Sequence, residues 1–199
     1  MVTRKSDLID ATKRLMLRQG YAATTVDQIC AEAKVTKGSF FHYFPNKEEI
    51  CRTAMSAWSQ DWHDLLSQAK LDEIEDPLDR LEALFKVMET AYMYPGQDPG
   101  CMVGTVAQET ALPNDQMRQA VDEHLQRWQV ATADILKDAK RTYPPKTDFD
   151  PDEVSWWLCT FVQGTMLMAK VRGRQIVPPN IRHCRAYVRG LFGPNESKK

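Results

Sequence analysis

Apolar residues in this 199-residue chain recur every third or fourth position, and alternation at every second position is hard to find. That period commits the chain to helices and leaves no material for a sheet. Leu8, Ala11, Thr12, Leu15 and Met16 fall on one helical face, and Gly20 suits the end of that helix. Thr25-Val26-Asp27-Gln28 reads as a capping box. It opens a short helix with Val26, Ile29, Cys30 and Ala33 inward. Thr36 caps a second short helix, and Asn46 with Glu49 caps a third, expected from about Asn46 to Lys70. Breaks at Asp76-Pro77, Tyr94–Gly100, Leu112–Asp115, Tyr143–Asp152 and Val177–Asn180 separate further helices. These are expected near 77–93, 100–111, 114–141, 151–172 and 181–192, and the closing PNESKK reads as a frayed tail. The expectation is an all-α chain of about nine helices.

Bulk composition narrows the class of function. Hydrophobic residues are 43 % and charged residues 27 %, as in an ordinary globular protein. A formal net charge of −1 excludes a uniformly basic nucleic-acid coat, although residues 1–50 carry eight Lys/Arg against six Asp/Glu. Five cysteines without a C-x-x-C pair, behind a polar start, point to free thiols and a cytoplasmic setting. The longest apolar run, Trp156–Ala169, is too short to span a bilayer and contains Gln163, so no membrane segment is expected.

The segment VTKGSFFHYFPNKEEI, Val35–Ile50, crowds Phe40, Phe41, His42, Tyr43 and Phe44 beside Lys37 and Gly38. A period of 3.6 sorts them. Phe40 and Phe44 share an inner face, while Lys37 and Phe41 share another, with Ser39, His42 and Tyr43 at its margins. A short capped helix, a tight turn and a second short helix make a helix-turn-helix, whose second helix enters the major groove of DNA. The outer set suits that task. Lys37 can neutralise a phosphate or donate to guanine. Gly38 permits close approach, and Thr36 and Ser39 offer hydroxyls. Tyr43 and Lys47 can hold the backbone on the far side and Thr25 on the near side.

The stretch GYAATTVDQICAEAKVTKGSFFHYFPNKEEI resembles the DNA-binding domain of the TetR family of transcriptional repressors. Gly20-Tyr21, Thr25-Val26, Ile29, Ala33, Val35, Lys37-Gly38-Ser39, Tyr43-Phe44, Lys47 and Ile50 carry the resemblance. It implies a DNA-binding domain over 1–50 and a ligand-binding and dimerisation domain over 51–199. It also implies a homodimer, a palindromic double-stranded operator and a small-molecule pocket.

In the larger domain, the helix expected at 151–172 is apolar nearly all round, so it is buried on more than one side. The following helix shows a stripe of Ile181, Cys184, Tyr187, Val188 and Leu191. Two such helices from each of two subunits would form a two-fold four-helix interface, which the resemblance also implies. Trp157, Phe161, Met168, Cys184, Tyr187, Val188 and Leu191 are the candidates for it; the bland alternative is core within one chain. Trp62, Tyr92, Met102, Trp128, Phe161 and Met166 are candidates to line a pocket. The run PGCMVGTVAQE places Cys101 in a helix's first turn, where a thiolate is favoured. The run resembles an AcrR-like subgroup that includes the electrophile-sensing repressor of N-ethylmaleimide reductase. In that subgroup the cysteine is aided by a lysine, here matched by Lys170. The alternative is a small buried cysteine at a tight crossing.

Other classes are less well supported. A nucleophile–base pair of Cys101 with His63 or His124 lacks any local catalytic signature. The four scattered histidines lack metal-ligand spacing, and no cofactor is expected. A helical adaptor would bind protein with little salt dependence, whereas phosphate binding weakens steeply with salt.

Overall fold

The computed structural model describes residues 4–94 and 98–192. Among them are nine α-helices, two short 3-10 turns and no β-strand. The only extended pairing among the described residues is an isolated bridge between Pro145 and Phe192. The helices are α1 (Arg4–Gln19), α2 (Val26–Ala33), α3 (Lys37–Tyr43), α4 (Lys47–Gln68), α5 (Pro77–Tyr92), α6 (Met102–Thr110), α7 (Asp115–Thr142), α8 (Pro151–Arg172) and α9 (Val177–Leu191). The break expected at Tyr94–Gly100 includes residues 95–97, and the expected tail includes 194–199; both sets lie outside the described residues. No described helix is long and apolar enough to cross a membrane.

The chain divides into two compact units: Met1–His63 with Gly96–His124, and Asp64–Pro95 with Leu125–Lys199. The first unit begins as a small helical globule. Leu8, Ala11, Leu15, Ile29, Cys30, Phe40, Phe44 and Ile50 form its core, with Ile9, Val26, Ala33 and Val35 packed against it. These are the positions that the helical period places inward.

Local chemistry bounds α2 and starts α3 and α4 where the sequence places those ends. Thr25 accepts from Gln28 N at 3.2 Å, and Gln28 Oε1 accepts from Thr25 N at 2.9 Å, completing the capping box. At the other end of α2, Val35 N donates to Cys30 O at 3.0 Å and Lys34 N to Ala31 O at 3.2 Å. This paired closure needs one residue in the left-handed region, and Lys34 supplies it with φ 55°. Thr36 caps α3 by accepting from Ser39 N at 3.1 Å, and Asn46 caps α4 by accepting from Glu49 N at 2.8 Å.

In the second unit, Asp76 and Asp150 cap α5 and α8 through side-chain bonds to backbone N–H groups. Asp76 also accepts from Tyr143 Oη at 2.6 Å. α9 packs on α5. Arg185 of α9 bridges Glu82 at 2.9 Å and Glu89 at 3.0 Å on α5. α9 also starts at Val177 rather than near 181, so the VPPN stretch is its first turn and not a break. Proline is tolerated there because first-turn N–H groups have no partner within the helix.

Candidate nucleic-acid interface

The helix-turn-helix is α2, the turn Lys34–Thr36 and α3. Phe40 is fully buried and Phe44 is 3 % exposed, whereas Phe41 between them is 56 % exposed. Phe40 packs edge-on against Phe41, with ring centroids 5.2 Å apart, and tilts against Phe44 at 6.0 Å. The inner ring thereby fixes the outer one. His42 and Tyr43 are also exposed and meet edge-to-face at 4.7 Å. Thr36, Lys37 and Gly38 are exposed, and Ser39 is half-buried. A Cβ built on Gly38 would meet nothing closer than Thr36 Oγ1 at 3.8 Å. Packing within the chain therefore does not demand glycine there, although glycine costs a helix roughly 1 kcal/mol relative to alanine. Thr25 is exposed at the start of α2.

The charges on this face are organised by two contacts that sequence reasoning did not find. Lys37 Nζ lies 2.7 Å from Asp27 Oδ1, both side chains being mostly exposed. The hydrogen bond to Asp27 raises the lysine above its ordinary pKa, so its charge is secure. Asp27 was in view as the second helical residue of the capping box, but its reach to α3 depends on the turn. Lys47 Nζ donates to Tyr21 O at 2.9 Å and sits 4.1 Å from the centre of the Tyr21 ring. It is half-buried and ties the α1–α2 corner to the start of α4.

The remaining candidates divide between the two units. Trp62, Cys101 and Met102 belong to the first; Tyr92, Trp128, Phe161, Met166 and Lys170 belong to the second. Met102 and Met166 are buried, and Trp62, Tyr92, Trp128, Phe161 and Lys170 are half-buried. Cys101 is 5 % exposed. It stands one residue before α6, at the N-cap rather than in the first turn, and its side chain makes no capping bond. Burial pushes the Cys51 thiol up to about 12 and Cys184 up to about 11, and it also raises Cys30. No group of three His, Cys, Asp or Glu fit to hold a metal occurs among the described residues.

The expected dimer stripe needs correction on α9. Cys184 is fully buried and Val188 is 2 % exposed inside their own chain, so neither is left for a partner. Within the chain α9 packs on both α5 and α8. Leu191 is half-buried. Trp157, Met168 and Tyr187 do face outward, as do Trp156, Leu167 and Val171, which were not among the candidates. Trp157 stacks on the half-buried Phe161 at 5.4 Å and lies 4.3 Å from Tyr187, so α8 and α9 share one aromatic patch. Gly164 lies within this surface, and a Cβ there would find open space for 4 Å around it.

Comparison with known proteins agrees with this geometry. Residues 8–54 match the family described as bacterial regulatory proteins, tetR family. Residues 77–183 match the family described as tetracyclin repressor-like, C-terminal domain. The transcriptional regulator AcuR of Cereibacter sphaeroides is 34 % identical over 84 % of this chain and 76 % of its own. The crystal structure of regulatory protein TetR from Rhodobacter sphaeroides has a TM-score of 0.80 at 31 % identity, covering 94 % of this chain and 97 % of that one. The repressor NemR of Escherichia coli is a more distant homologue, 24 % identical over 60 % of each chain. With its helix-turn-helix and its C-terminal helical region both matched, this chain belongs to the tetR family of bacterial transcriptional regulators.

Proposed function

We propose that the protein is a homodimeric repressor that reads a palindromic operator in the cytoplasm and leaves it when a small molecule binds. The observation that carries this reading is the outward face of α3. Phe41, His42 and Tyr43 are held exposed by the buried Phe40 and Phe44. Lys37, Gly38, Thr36 and Ser39 complete the surface offered to the major groove, with Thr25 at the start of α2 toward the flanking phosphates. Lys47 would reach a phosphate only by sharing its charge with the Tyr21 carbonyl.

One seven-residue helix reads too few base pairs to select a site. Two copies about 34–36 Å apart read a palindrome. The patch of Trp156, Trp157, Leu167, Met168, Val171 and Tyr187 is the surface we assign to dimerisation. Large exposed apolar patches mark such contacts. Gly164 supports the assignment, because its missing side chain would let a partner helix approach closely. Residues 1–50 would act as the DNA-binding domain and 51–199 as the ligand-binding and dimerisation domain. Trp62, Tyr92, Met102, Trp128, Phe161 and Met166 are our candidates for apolar contacts with the ligand. The repressor role draws on the name of NemR and on that of DhaR from a Mycobacterium, called a repressor and 26 % identical over 84 % of this chain.

A second reading makes Cys101 the receiver of an electrophile or oxidant, with Lys170 as the aiding lysine that the resemblance implies. Cys101 is itself buried, but its place at the N-cap of α6 sets it apart from Cys51 and Cys184, whose thiols burial pushes up. A gel-shift titration on DNA from upstream of the protein's own gene, at two salt concentrations and with or without methylglyoxal, tests both. A salt-sensitive shift supports the regulator, and its release by methylglyoxal supports the Cys101 reading. Release that persists in Cys101→Ser would refute the second reading and leave the reversible ligand.

A further inference from the structure

The corner between α1 and α2 is locked by a residue 87 positions away in the sequence. Glu109, next to last in α6, accepts the Ala22 N–H on Oε2 at 2.6 Å. Its other oxygen fills a notch at Gly20. A Cβ on Gly20 would lie 2.0 Å from Glu109 Oε1 and 2.9 Å from its Cδ. Gly20 has φ +83°, so glycine is required there both by the backbone and by the carboxylate.

From this corner a chain of bonds runs into the helix-turn-helix. Thr24 Oγ1 donates to Gly20 O at 2.7 Å, and Gln19 Nε2 donates to Ala23 O at 2.9 Å. Gln19 Nε2 also reaches Gln28 Oε1 at 3.1 Å, the same oxygen that closes the Thr25 capping box. Lys47 grips Tyr21 from the α4 side. The corner therefore sets the direction in which α2 leaves α1, and α2 carries α3.

We propose that Glu109 is a positioning residue for operator binding, fixing the α1–α2 corner through the Ala22 N–H and the Gly20 notch so that α2 and α3 meet DNA at one angle. The proposal rests on the DNA-binding reading of α2 and α3. Charge alone predicts the opposite effect of removing the residue. A carboxylate on a DNA-binding unit repels phosphate, so deleting it should raise affinity. A positioning role predicts that deletion lowers affinity, because the bond is lost along with the charge. Glutamine separates the two, since its carbonyl can still accept the Ala22 N–H while the charge is gone.

The test compares full-length Glu109→Ala and Glu109→Gln with wild type by amide exchange at residues 20–24, by thermal unfolding, and by affinity for a DNA site that the wild type selects from random sequence. In Glu109→Ala the Ala22 amide should exchange at least tenfold faster and affinity should fall at least tenfold, with little change in unfolding. Glu109→Gln should stay near wild type in both. Gly20→Ala provides a second route, since its Cβ displaces the carboxylate while Glu109 remains; it should show the same two losses. Unchanged exchange at Ala22 in Glu109→Ala, or affinity equal to or above wild type, would overturn the proposal. If the wild type selects no site, the regulator reading itself fails and the operator role with it, while the exchange arm still tells whether Glu109 holds the corner.

Discussion

Phe40 and Phe41 are neighbours in sequence and should have opposite phenotypes. Phe40 is fully buried in the core of Leu8, Ala11, Leu15, Ile29 and Phe44. Truncation to alanine removes a whole ring from a closed core, which costs roughly 3–5 kcal/mol. Phe41 is 56 % exposed and meets Phe40 edge to face. An edge-to-face pair contributes about 0.5–1.5 kcal/mol. Phe41→Ala should therefore destabilise by less than about 1.5 kcal/mol, within reach of that contact. Its effect should fall on DNA instead, with a loss of at least about tenfold in operator affinity, or about 1.4 kcal/mol. The chain has two compact units, so a single global midpoint would blur the comparison. Amide protection of α2 during a urea titration reports on the relevant unit, and gel shift reports on binding. Equal destabilisation by the two variants would refute the sorting of the rings into inner and outer. So would wild-type affinity in Phe41→Ala.

Lys37→Ala should leave folding intact, since its ion pair with Asp27 is exposed. The slope of log affinity against log salt should become shallower by about 0.9 per copy, or about 1.8 for a dimer; an unchanged slope would remove Lys37 from the phosphate contacts. Gly164→Arg should produce monomers in sedimentation without unfolding the chain, because among the described residues nothing outside its own helix turn lies within 4 Å of a Cβ there; a persistent dimer would place the interface elsewhere. In the native protein at neutral pH, iodoacetamide should leave Cys51 and Cys184 unmodified, as burial holds these thiols near 12 and 11. Labelling of either, read by peptide mass, would contradict that.

Much of the first unit was legible because its determinants are local. The inward pair Phe40 and Phe44 follows from a spacing of four. The Thr25–Gln28 capping box follows from residue type and spacing alone. What was not legible depends on distance in sequence or on what covers a face. The α9 stripe correctly marks an apolar side, but a stripe cannot say whether its cover is the same chain or a partner. Cys184 and Val188 are buried within their own chain, while Tyr187 is exposed. VPPN looked like a break because proline interrupts helices, yet in a first turn it does not. The bonds from Lys37 to Asp27 and from Glu109 to Ala22 cross turns and whole helices. Neither residue type alone announces such a partner.

The central claim is that α3 from two copies reads one symmetric DNA site. Selection from a random-sequence DNA pool with the purified full-length protein, followed by sequencing, tests it most directly. The account predicts enrichment of an inverted repeat whose half-sites are centred about one helical turn apart, and loss of that enrichment with Phe41→Ala. Enrichment of no sequence, or of a single asymmetric half-site bound equally well by Phe41→Ala, would contradict it.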